Sequence, residues 1–187
     1  MKSFLIATCL LSTLLLPCAA RPADTQRPKG SVCWAFHMAG ITVGYTDDAQ
    51  VQRLLGSGVF RPDEGDAGGR YYIDVRRRAT LHVVMYTNAV VGELTLREGI
   101  APAISSQERR RATTPLFTAD EGFGNRHALR LGVSKEEVRQ NLGPPEREVS
   151  SDEWRYVTTC SCEIQDFFTV SFKKGRLFQI VFSSPSG

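Results

Sequence analysis

Leu129-Arg130-Leu131-Gly132-Val133-Ser134-Lys135-Glu136-Glu137-Val138-Arg139-Gln140-Asn141-Leu142-Gly143-Pro144-Pro145 is the stretch whose reading decides the fold. Ser134 is placed to cap a helix, and Glu137 three residues on completes a capping box. Val133 before the cap and Val138 after it are placed as a hydrophobic staple. Val138 and Leu142 lie one turn apart and mark a single apolar stripe. Gly143 offers a left-handed stop, and Pro144-Pro145 blocks continuation. So short a helix takes its stability from packing on another element.

The same signals occur earlier in the chain. Ile41-Thr42-Val43-Gly44 matches Leu129-Arg130-Leu131-Gly132, and Asp47-Asp48-Ala49-Gln50-Val51-Gln52-Arg53-Leu54-Leu55-Gly56 matches the helix, at a spacing of about 87 residues. Asp47 and Gln50 form the earlier capping box, and Gly56-Ser57-Gly58 the stop. Strand-like runs follow each helix, at 70–75, 81–86 and 90–96, then at 154–159, 167–172 and 177–182. Phe168, Val170 and Phe172 alternate, as do Phe178, Ile180 and Phe182, so each series faces one side of a sheet. The expected fold is α+β: two tandem units, each a short helix or helix pair packed on a three- or four-stranded antiparallel sheet. The first repeat spans 41–100, a linker 101–125 and the second repeat 126–187.

Working outward to the N-terminus, Lys2, the apolar run 4–16 and Pro17-Cys18-Ala19-Ala20 have the three parts of a secretory signal peptide. Residues 1–20 are expected to be removed near Ala20, with 21–40 as a lead-in and a periplasmic or secreted location. The alternatives are a buried N-terminal helix, or a lipoprotein tethered through Cys18, for which Pro17 is a poor preceding residue. Apolar content of 42% and charged content of 23% are those of a globular chain, and a net charge of +3 does not argue for nucleic acid. Cleavage leaves Cys33, Cys160 and Cys162. An oxidising compartment predicts a disulfide between Cys33 and either Cys160 or Cys162, which share a face if they lie in a strand.

Gly132-Val133-Ser134-Lys135-Glu136-Glu137-Val138, Leu142-Gly143 with Pro145, Trp154 with Tyr156, Gly175 and Leu177 with Ile180 resemble the SmpA/OmlA (BamE-like) family. Two such units in tandem are similar in layout to the β-lactamase inhibitory protein. The resemblance covers roughly 129–182, and more faintly 41–96. It implies an exported binding module whose sheet face or loops grip a partner. No functional motif of the family maps onto this chain residue by residue.

No catalytic, cofactor or metal site emerges from the residues. Gly56-Ser57-Gly58 follows a helix, where a nucleophile elbow needs a strand. His37, His82 and His127 lack metal-helix spacing. Asp63-Glu64-Gly65-Asp66-Ala67-Gly68-Gly69 has oxygen ligands but no calcium-loop spacing, and reads as an acidic turn. Asp152 and Glu153, adjacent in a strand, point opposite ways. Binding is better supported. Tyr71 and Tyr72 must face opposite sides, and aromatics with interspersed arginines make interface hot spots. Tyr71, Tyr72, Trp154, Tyr156 and Phe167 are the candidate binding face, unless two sheets pack together and bury both sides. Arg76-Arg77-Arg78 and Arg109-Arg110-Arg111 could each meet an anionic surface. The expected function is therefore an exported non-catalytic module that binds an envelope or secreted protein, as an assembly factor or enzyme inhibitor. The alternatives are a cell-envelope hydrolase with an unrecognised site and a structural surface protein.

Overall fold

The computed structural model describes residues 37–113, 129–159 and 165–183. The elements in chain order are β1 His37–Met38, β2 Ile41–Thr42, α1 Asp48–Leu55, β3 Val59–Arg61, β4 Gly69–Asp74, β5 Ala79–Met85 and β6 Val91–Glu98. Then come α2 Arg109–Ala112, α3 Lys135–Leu142, β7 Arg147–Ser150, β8 Glu153–Thr159, β9 Gln165–Lys173 and β10 Arg176–Ser183.

Both capping boxes form. Asp47 accepts from the Gln50 backbone N–H at 2.7 Å while the Gln50 side chain accepts from Asp47 N–H at 2.9 Å. Ser134 and Glu137 do the same at 3.2 and 2.8 Å. Gly56 and Gly143 end the helices with φ of 84° and 81°, a region costly for any residue with a Cβ. Each helix buries one stripe, Val51 with Leu55 and Val138 with Leu142. A buried tyrosine ties each stop to the sheet. The Tyr72 hydroxyl donates to Gly56 O at 3.0 Å, and the Tyr156 hydroxyl to Gly143 O at 3.3 Å. Burial pushes both phenols up.

β1 and β2 make a small two-stranded sheet of their own, but β3 to β10 do not divide into two sheets. They form one eight-stranded antiparallel sheet in the order β3-β4-β5-β6-β10-β9-β8-β7. The two-unit expectation is therefore corrected. β6 and β10 pair edge to edge, with Leu96 opposite Ile180 and Leu94 opposite Phe182. The physical reason is that each run of strands ends on an apolar edge strand whose backbone groups need a partner. The core is likewise shared: α1, α3, Tyr72, Leu81, Leu94, Trp154, Phe168 and Phe182 belong to one continuous apolar cluster on one side of the sheet.

Arg70 reaches from β4 to the first turn of α1, its Nε and Nη2 at 2.5 and 2.8 Å from the Asp48 carboxylate. In the other half, Arg139 lies 4.8 Å over the Trp154 ring and bonds Glu148 at 2.8 Å. Chain alternation is broken by a bulge between Leu177 and Gln179. Leu177, Ile180 and Phe182 therefore share the core side, and Phe178 is only half-buried.

Candidate functional site

Because both helices lie on one side, alternation assigns the other side by default. One row crosses all eight strands: Val59, Tyr71, His82, Thr95, Val181, Thr169, Arg155 and Arg147. A flanking row holds Thr80, Arg97, Gln179, Ser171 and Glu153, and another holds Val84, Glu93, Ser183, Phe167 and Val157. Among the described residues, the apolar cover on this side is confined to β3, β4 and residues 100–113, where Ala101, Ile104 and Ala112 pack on Val59, Tyr71 and Ile73. From β6 to β8 the side chains of these three rows are half-buried.

Two arginines stand out on this open part. The Nε atoms of Arg97 on β6 and Arg155 on β8 are shielded from water and have no hydrogen-bond partner among the described residues. Arg155 lies 4.9 Å over the Phe167 ring. A shielded polar group without a partner costs roughly 1–3 kcal/mol, more when it is charged. Glu93, between the two halves, accepts from Thr95 Oγ1 at 3.1 Å and from Ser183 Oγ at 3.2 Å. The open face thus combines guanidinium donors, an aromatic ring, valines and small hydroxyls.

The five aromatics expected to form a binding face separate. Tyr72, Trp154 and Tyr156 lie in the core beneath the helices and do not present to solvent. Tyr71 is on the opposite side but buried beneath residues 100–113. Only Phe167 reaches the open face, half-buried. The physical reason is that alternation sorts residues into faces, while α1 and α3 on one side and residues 100–113 on the other determine what is covered. Arg97 and Arg155 were missed. Their signal was present, since each adjoins a core residue in a strand, Leu96 and Tyr156 respectively. The expected disulfide of Cys33 with Cys160 or Cys162, His127 and the signal peptide 1–20 lie outside the described residues.

His82 is not isolated. Its Nε2 lies 2.7 Å from Glu64 Oε2, and Glu64 Oε1 accepts from the Tyr71 hydroxyl at 2.8 Å. The Tyr71 and His82 rings stack at 4.1 Å. Gly69 makes room, because a Cβ there would sit 2.5 Å from Glu64 Oε2. Burial first, then the Glu64 hydrogen bond, pushes the Tyr71 phenol up. Thr95, opposite His82 in register, gives its hydroxyl to Glu93. No Ser, Thr or Cys among the described residues hydrogen-bonds to His82. The cluster clasps residues 62–68 to the sheet. Of the other carboxylates singled out, Asp66 accepts from Thr87 Oγ1 at 3.0 Å and Asp152 pairs with Lys135 at 2.8 Å.

No family model matches the chain, and no curated protein matches it. No catalytic family is found. Among solved structures, a similar chain is a DUF4309 family protein (YjgB) from Bacillus subtilis subsp. subtilis str. 168. It is 16% identical, with a TM-score of 0.45, over 83% of this chain and 88% of that one. That likeness bears on neither the SmpA/OmlA-like pattern nor a function. Among the described residues no helix is long and apolar enough to cross a membrane.

Proposed function

We propose that this chain is an exported, non-catalytic module that binds an envelope or secreted protein through the open face of its sheet. The observation that carries the reading is the pair of half-buried arginines, Arg97 and Arg155, three strands apart on that face, whose Nε atoms have no hydrogen-bond partner among the described residues. Carboxylates or backbone carbonyls from a partner would meet the accessible part of each half-buried arginine, and the surrounding Phe167, Val157 and Val181 would supply apolar contact. The N-terminal pattern of Lys2 and the apolar run 4–16 supports export.

The test is affinity capture from an envelope fraction with the wild type, with Arg97→Gln plus Arg155→Gln, and with Arg53→Gln as a control on the exposed side of α1. A specific protein retained by the wild type and the control but lost by the double variant supports the reading. Equal retention by all three, or capture of nothing under several salt conditions, refutes it.

A further inference from the structure

Charge is distributed on the open face in a particular way. The middle strands of its uncovered part, β10 and β9, present Gln179, Val181 and Ser183 beside Phe167, Thr169 and Ser171, none of them charged. The charges stand on the flanking strands, Glu93 and Arg97 on β6 and Glu153 and Arg155 on β8. An uncharged, partly apolar centre inside a charged rim is how protein interfaces are built. The rim holds two charges of each sign, so the patch is neutral as a whole and can be complementary to a surface like itself.

Strand register determines how. Arg97, Gln179, Ser171 and Glu153 are cross-strand neighbours in one row, positive at its β6 end and negative at its β8 end, three strands or about 14 Å apart. Let a second copy lie face to face on the first, with a two-fold axis along the strands between β10 and β9. The row then runs reversed against itself. Arg97 faces Glu153 of the second copy and Glu153 faces its Arg97, the reciprocity of an isologous contact. In the central row Arg155 faces Thr95 and Val181 faces Thr169. In the third, Phe167 faces Ser183, and Glu93 faces Val157 while keeping the hydroxyls of Thr95 and Ser183. An axis across the strands through the central row would set Arg155 against Arg155 instead. Aligned strands also suit the stacking of two twisted sheets.

We propose that the open face pairs with a second copy of this chain, closing the site until its envelope or secreted partner displaces that copy. The regulatory half of the proposal rests on the partner using the same face; the pairing itself does not. Three rows on four strands give about twelve residues a side, against the ~20–30 of a stable interface. The pairing is therefore weak and concentration-dependent, as a contact that a partner displaces must be.

The experiment is sedimentation velocity of the full chain over a wide micromolar range, with Arg97→Glu, with Glu153→Arg and with both together, each first matched to the wild type by circular dichroism. The apolar run 4–16 is common to all of them, so differences between variants are the readout. The wild type should show a reversible monomer–dimer equilibrium that weakens with salt. Either single reversal opposes like charges twice per dimer and should weaken pairing about tenfold or more. The double reversal restores both pairs and should return the dimer to within a few-fold of the wild type. Thr169→Arg, which puts a charge into the uncharged centre, should abolish the dimer without touching either pair. A monomer at every concentration, single reversals without effect, a double reversal as weak as the singles, or a dimer that survives Thr169→Arg overturns the proposal. Affinity capture separates the two readings: a dimer that captures nothing keeps the pairing and removes the partner, and capture by a monomer does the reverse.

Discussion

Replacing Asp48 by Asn tests how α1 is fastened to the sheet. The Asp48–Arg70 pair is bidentate and only partly reached by water, the side chains being 26% and 11% exposed. Removing one partner of a fully buried pair costs about 3–5 kcal/mol, whereas exposed pairs are worth below ~1 kcal/mol. Arg70 keeps Ser57 O at 2.7 Å and the Phe60 ring at 4.8 Å, and the Asn amide still offers one acceptor. The expected loss lies between the limits, at about 2 kcal/mol. Its pH dependence has a definite sign. The Arg70 hydrogen bond, opposed by burial and aided by the charge of the guanidinium, holds the Asp48 carboxyl below its ordinary 3.8. A carboxylate with a depressed folded pKa contributes stability above its unfolded pKa, and loses it as pH falls through the folded one. Urea unfolding should therefore place Asp48→Asn about 2 kcal/mol below the wild type at neutral pH, with the gap closing below pH 3.8. A gap that stays constant with pH, or one under ~0.5 kcal/mol at neutral pH, refutes the reasoning.

Tyr72→Phe and Tyr156→Phe should each cost about 1 kcal/mol by urea denaturation, with Tyr72→Phe the larger because its bond is shorter; no loss in either would mean the helix stops are not held by these hydroxyls. Gly69→Ala should drive Glu64 from His82 and destabilise the fold by about 1–3 kcal/mol. In the same variant a spectrophotometric titration should find a phenol ionising at lower pH than in the wild type, since Tyr71 loses its acceptor. Because α1 and α3 share one apolar cluster, urea transitions followed by fluorescence and by circular dichroism should coincide. Two separated midpoints would contradict the shared core.

Local structure was legible where chemistry is local. Asp47 with Gln50 and Ser134 with Glu137 identified both helix starts, and Gly56 and Gly143 both stops. Six of the eight strands of the large sheet lie where strand-like runs between turn residues put them. The short edge strands β3 and β7 were not seen. β7 is exposed along its whole length and carries no apolar alternation to read. The join between β6 and β10 was also hidden, because strand pairing is a matter of backbone hydrogen bonds between segments distant in sequence. That omission propagated to the site. Trp154 and Tyr156 look like interface aromatics until one knows that α3 lies above them, and Arg155 looks like filler until its row across the sheet is known.

The join between β6 and β10 also has a temporal side. β6 is complete at Glu98, but its neighbour begins only at Arg176. During synthesis, β6 waits with one edge bare while the intervening segment emerges. Closing so distant a contact is slow, and an unoccupied apolar edge invites pairing with other chains. The interval before Leu177, Ile180 and Phe182 arrive is thus when this protein is most exposed to aggregation, and when a holding chaperone would matter most.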